Sequence, residues 1–199
     1  MALQAKQGED IVKYARSVIE GYFGGTKPKR PDSLKAAFSE KVGVFATLHK
    51  GGDLRGCIGF PEPVINLGDA VEQAALSAAL EDPRFPQVEA DEMEDIVVEV
   101  SLLTKPELVQ AADPREYPAR VKVGRDGLIA QSGYSRGLLL PQVPVEQGWD
   151  SKTFLCHTCT KAGLPSDEWT KKGFKLYSFT AQIFSEDSPR GRISERPIS

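Results

Sequence analysis

Cysteine and histidine are scarce in this 199-residue chain, with three of the first and two of the second. No apolar run approaches the roughly 18–20 residues that a membrane helix needs. A small, odd number of cysteines in a chain long enough to bury a core without cross-links argues against a disulfide framework and fits a reducing compartment. The opening MALQAKQGED has no apolar stretch of the secretory kind, so a cytoplasmic location without membrane attachment is expected. Positive charge is not in excess either: 25 Lys and Arg against 28 Asp and Glu leave a net charge of −3. Nucleic-acid backbones are held by broad basic surfaces, so no nucleic-acid partner is expected. The run Lys27 to Arg30 and the arginines Arg190, Arg192 and Arg196 are local exceptions. Neither GxGxxG nor a P-loop occurs, which removes the case for a dinucleotide or nucleoside triphosphate, and no cofactor is expected.

What the chain does hold is a mixture of helical and strand-like periods. Glu9 to Phe23 places Ile11, Ala15, Val18, Ile19 and Tyr22 on one helical stripe, and Gly24-Gly25 stops it. Leu67 to Leu80 is a second helix whose alanines, Ala70, Ala74, Ala75 and Ala78, make a small-residue stripe suited to close packing on a sheet. Ser151 to Ala162 is a third, with Asp150 or Ser151 as its N-cap and Gly163 as its stop. Val42 to His49 and Leu54 to Phe60 read as a hairpin around Gly51-Gly52, and β-branched Ile96 to Thr104 reads as the strongest strand. A second hairpin is expected from Arg120 to Gly124 and Leu128 to Gln131. Gly137 to Leu140 is a short strand and Phe174 to Phe184 a closing one. Residues 185–199 are polar and are expected to be a mobile tail. The fold class is α+β: one domain over 1–199, with two βα units on a shared, mixed and curved sheet, forming two lobes around a cleft.

The stretch LRGCIG, Leu54 to Gly59, concentrates chemistry. Period-2 alternation puts Arg55, Cys57 and Gly59 on one face and Leu54, Ile58 and Phe60 on the other. A guanidinium beside a thiol favours thiolate, and a glycine admits close approach, so Cys57 is a candidate nucleophile. If the hairpin pairs directly through Gly51-Gly52, Cys57 faces Ala46, and the competing reading is a small hydrophobe in a packed sheet. In DPRFP, Asp82 to Pro86, the pair Asp82 and Arg84 either closes a turn or offers a planar fork to an anion. Glu99 and Ser101 share one face of an apolar strand, where a carboxylate needs a partner, with Arg55 or Arg84 as candidates. Gln142, between Pro141 and Val143, could bond a ligand with both amide groups or close a buried turn.

These blocks resemble the AMMECR domain family, named for a chromosomal region linked to Alport syndrome with midface hypoplasia and elliptocytosis. The resemblance runs through LRGCIG, DPRFP, Glu99 to Glu107 (EVSLLTKPE) and Gly137 to Val143 (GLLLPQV), and on to Trp149-Asp150, Phe154-Leu155 and Lys161 to Leu164. It implies a cleft lined by the family's shared residues, no assigned reaction, and an association of prokaryotic members with Memo-type and radical-SAM proteins.

Cys156 and Cys159 have C-x-x-C spacing, but no second pair supplies further ligands at a known spacing, and both fall inside a helix rather than at its start. No metal site is expected. His49 and His157 could pair with a cysteine only through folding. The expectation for function is a small polar or anionic ligand around LRGCIG, with Cys57 as nucleophile and Arg55, Asp82, Arg84, Glu99, Ser101 and Gln142 as ligand contacts. The alternative is a non-catalytic domain that docks on a protein partner.

Overall fold

The computed structural model describes residues 2–198; Met1 and Ser199, the ends of the expected single domain, lie outside the described residues. The described chain forms two compact units, one running to Leu103 and resuming over Gln182–Arg196, the other built on Thr104–Ala181.

In the first unit, α1 (Ala5–Gly24) buries Ile11, Val12, Ala15 and Ile19 along one stripe and ends at Gly25, whose φ of 65° is the left-handed cap that glycine tolerates best. A short helix, α2 (Lys35–Ser39), leads into β1 (Gly43–Lys50) and β2 (Asp53–Phe60). The alanine stripe of α3 (Leu67–Leu80) is buried along its length. β3 (Ile96–Leu103) follows. Residues Val44, Ala46 and Leu48 of β1 and Val98, Val100 and Leu102 of β3 pack with α1 and α3 in a single core. The intervening residues of both strands, Thr47, Glu99 and Ser101 among them, occupy the other face.

The second unit contains β4 (Glu107–Leu108), α4 (Tyr117–Arg120), β5 (Gly127–Ser132), β6 (Ser135–Leu139), α5 (Gln142–Glu146), α6 (Ser151–Lys161) and β7 (Lys175–Phe179). Its core gathers Leu128, Ala130, Phe154, Leu155, Trp169 and Leu176. Asp150 caps α6 by accepting from Thr153 N at 2.7 Å. After Thr180 the chain enters β8 (Ala181–Glu186) and then β9 (Ile193–Arg196).

Two sheets replace the single shared one expected: a five-stranded sheet in the order β2-β1-β3-β8-β9 and a four-stranded sheet in the order β4-β7-β5-β6. The registered pairs in both run antiparallel, so neither follows the mixed pattern. The expected closing strand divides at Thr180, where Thr104 and Thr180 exchange hydrogen bonds of 2.9 Å, leaving β7 and β8 in different sheets. The second hairpin also shifts. β5 pairs with β6 through a turn at Gly133, φ 58°, while residues 121–126 form a separate turn in which Asp126 accepts from Lys122 N at 2.8 Å. Part of the expected tail is sheet as well, because Ile193–Arg196 pairs with β8 and Ile193 is buried in the first core.

Candidate functional site

β2 is an edge strand, and the chemistry of LRGCIG follows from how that edge is closed. Lys50 pairs with Asp53 and His49 with Leu54, but Leu48 then pairs with Gly56, so Arg55 is an extra residue in a β-bulge. A bulge re-aims the side chain it carries. Leu54 consequently leaves the face of Ile58 and Phe60 and stands 38% exposed, and Cys57 lies opposite Thr47 rather than Ala46. Arg55 turns to Glu92 instead of the thiol: Nε is 3.1 Å from Oε1 and Nη2 is 2.8 Å from Oε2. It also donates to the carbonyls of Pro86 and Gln87. Arg55 is the main reason the Glu92 carboxyl is held down at about 2; Lys50, at 3.0 Å, adds to the effect.

The DPRFP loop seals the rest of the edge. Asp82 is buried and accepts from Cys57 N at 2.9 Å, and Arg84 grips the same carboxylate through Nε at 2.9 Å and Nη2 at 2.6 Å. Arg84 Nη2 also reaches Cys57 O at 3.4 Å. Both outward backbone groups of Cys57 are thereby occupied, which protects an edge that would otherwise template another strand. Arg84, joined by the two backbone amides, holds the Asp82 carboxyl well below the usual carboxylate range.

Both glycines of the motif have packing reasons. A Cβ on Gly56 would lie 2.1 Å from the carbonyl oxygen of Ala78, so glycine lets the end of α3 rest on the strand. A Cβ on Gly59 would lie 2.2 Å from the carbonyl oxygen of Val44 and 2.6 Å from both the Cα and the ring of Phe45, the residue opposite it. The close approach expected at Gly59 is made by the protein's own β1, through its backbone and the Phe45 ring.

Cys57 is half-buried and accepts a hydrogen bond from Thr47 Oγ1 at 3.4 Å. Burial pushes its thiol up; Thr47 and Arg84 pull the other way, and Glu99 and Asp82 reinforce the rise. Burial, the largest of these influences, disfavours the thiolate that a neighbouring guanidinium would favour, and Arg55 is bonded to Glu92 instead.

Thr47 pairs with Glu99 on its other side, so Cys57, Thr47 and Glu99 form one polar row across β2, β1 and β3. Glu99 lies 3.9 Å from Arg196 Nη1 of β9 rather than against Arg55 or Arg84. Ser101, opposite Phe45, is fully buried, and its Oγ has no hydrogen-bond partner among the described residues. His49 is kept neutral by burial and, second, by Arg196. Of the expected contacts, Cys57, Asp82, Arg84, Glu99 and Ser101 belong to this sheet and its edge. Gln142 lies in the second unit at the start of α5, where its Oε1 is buried without a partner among the described residues. Thr47, Glu92 and Arg196 were missed as site residues: Thr47 was hidden by the unseen bulge, and the others lie in ordinary charged or polar stretches; His49, named only as a possible partner of a cysteine, lies on the strand beside Thr47.

Cys156 and Cys159 are free thiols in α6, and burial pushes Cys159 up to about 11. His157 stacks on Trp149, centroids 3.9 Å apart. Among the described residues, no group of three or more His, Cys, Asp or Glu is placed to hold a metal.

Fold and site together define an α+β protein with two antiparallel sheets, one of which carries a buried polar row behind a clasped edge. The AMMECR1 family model matches residues 12–184, and the chain belongs to that family. It is 54% identical to Protein MJ0810 of Methanocaldococcus jannaschii over 98% of each chain. A protein of Methanothermobacter thermautotrophicus is 53% identical, over 93% of this chain and 97% of the relative. The crystal structure of the uncharacterized protein PH0010 from Pyrococcus horikoshii superposes with a TM-score of 0.93 at 49% identity, covering 98% of each chain.

Proposed function

We propose that the first unit binds a small polar ligand at the row Cys57, Thr47, Glu99 and Ser101, with Arg84 at its rim, and that Cys57 serves as a hydrogen-bonding thiol rather than a nucleophile. The observation that carries this reading is Ser101 Oγ, buried and without a partner beside a buried carboxylate strand-mate. Burying an unsatisfied polar group costs about 1–3 kcal/mol, a cost a fold carries where the group has another use. Ser101→Ala tests it, with a thermal-shift panel of hydroxylated, carboxylated and phosphorylated metabolites. The variant is expected to be as stable as the parent or more so, and to lose the shift that a bound metabolite gives the parent. A Ser101→Ala protein that is clearly destabilised, or that keeps the full shift, would sink the reading.

A protein partner, of the Memo or radical-SAM kind associated with the family, is the second reading. Exposed Tyr22, Leu54 and Val64 in the first unit and Leu108, Val123 and Tyr134 in the second favour it. They stand on separate segments, as single apolar side chains do on ordinary surfaces, so it ranks below the ligand. Co-sedimentation with such a partner would raise it.

A further inference from the structure

On the helical side of the first unit, away from the polar row, a cavity of about 380 Å³ is lined by Arg30, Pro31, Asp32, Lys35, Phe38, Ser39 and Asn66. That volume falls in the range of small-molecule sites, roughly 300–1,000 Å³. Arg30 is fixed before any ligand arrives. Its Nε donates to Glu72 Oε1 at 2.7 Å and its Nη2 to Asp69 Oδ1 at 2.5 Å, both on α3. Its guanidinium lies 5.8 Å from the Phe38 ring centroid. Neither carboxylate bond uses Nη1, which rests against Gly68; a Cβ there would lie 2.9 Å from it. No left-handed φ demands glycine at position 68. Glycine in a helix costs up to about 1 kcal/mol relative to alanine, so its absent side chain serves as the seat of the guanidinium.

We propose that this cavity binds a small phosphate monoester, with the phosphate held between Arg30 Nη1 and the Lys35 ammonium and the organic part lying on Phe38 and Pro31. Donors of different geometry, a planar guanidinium, a compact ammonium and the Asn66 amide, suit a tetrahedral group with three oxygens better than a flat carboxylate, while the Ser39 hydroxyl is taken up by the Ala36 carbonyl at 2.7 Å. Asp32 also lines the cavity, but Lys29 holds its carboxylate at 3.1 Å and offsets its repulsion.

The test is titration of the full chain with phenyl phosphate, followed by calorimetry and by amide chemical shifts. Binding at a Kd of about 1 mM or tighter is expected, weakening with salt. Lys35→Glu changes an exposed side chain, so folding should persist, as circular dichroism will show. It should weaken phenyl phosphate at least about tenfold by setting a negative charge against the anion. Lys172→Glu, the same charge change at an exposed lysine of the second unit, should leave this binding unchanged. Absence of binding at about 10 mM, ten times the expected Kd, would overturn the proposal. Equal binding by Lys35→Glu would do the same, as would benzoate binding as tightly as phenyl phosphate.

Discussion

Arg55 and Cys57 are two residues apart in the chain but serve different neighbours. The bulge sends the guanidinium to Glu92 and two carbonyls, and the thiol is left beside Thr47. With Cys156 and Cys159 changed to serine, Cys57 is therefore expected to alkylate slowly at pH 7 and to titrate above the ordinary thiol value of about 8.5. Arg55→Met should leave that titration nearly unmoved, while costing about 2 kcal/mol of stability by taking from Glu92 its main partner and from Pro86 and Gln87 a donor to their carbonyls. A fall in the Cys57 rate on losing Arg55, with stability intact, would restore the activated thiolate. Glu92 also sets an acid limit. Its folded pKa, about 2, lies below its unfolded value of about 4.5, so its contribution is complete above pH 4.5 and is lost as pH falls toward 2. Thermal melts of Glu92→Gln should show a shallower loss across that window than the parent. At this scale the identities of Cys57, Asp82, Arg84, Glu99 and Ser101 were legible, because charged or nucleophilic residues stand out in apolar strands and turns. Their partners were not, since Glu92 and Arg196 lie tens of residues from the groups they meet and Thr47 is brought opposite Cys57 by the bulge.

α3 was legible residue by residue, from Leu67 to Leu80, because its alanine stripe repeats at the helical period and little else in the segment competes. Hairpin registers were not, because a bulge or a shifted turn alters pairing without altering composition. The two units reuse one device. The end of α3 rests on Gly56 of β2, and the end of α6 rests on Gly137 of β6, where a Cβ would lie 2.4 Å from Ala162 N. Backbone, unlike a flexible side chain, has little room to give. Gly56→Ala and Gly137→Ala are each expected to destabilise by about 1–3 kcal/mol or more, measured by denaturant titration. Gly148 has open space around it and a φ of 64°, so Gly148→Ala should cost only what left-handed backbone strain imposes.

For the whole molecule, the first unit is discontinuous. Arg16 of α1 and Glu186 of β8 form a buried pair at 2.6 Å and 2.7 Å, and Glu186 also accepts from Val98 N at 2.9 Å. Phe184 packs against Gly8, so the last strands complete the core of the first helix. Arg16→Met is expected to cost about 3–5 kcal/mol, because it leaves the Glu186 charge buried without its guanidinium. A fragment ending at Leu103 should lack a cooperative melt, and restoring residues 182–196 as a linked segment should recover it. The sequence alone determined the α+β class, the family and the polar character of the LRGCIG and DPRFP segments, since local period and residue identity carry those properties. Only the tertiary structure decided that there are two sheets, that Arg55 serves Glu92, and that Cys57 lies half-buried beside Thr47. Each of these depends on contacts between distant segments, and a thiol's ionisation is set by the charges and the burial that folding puts around it.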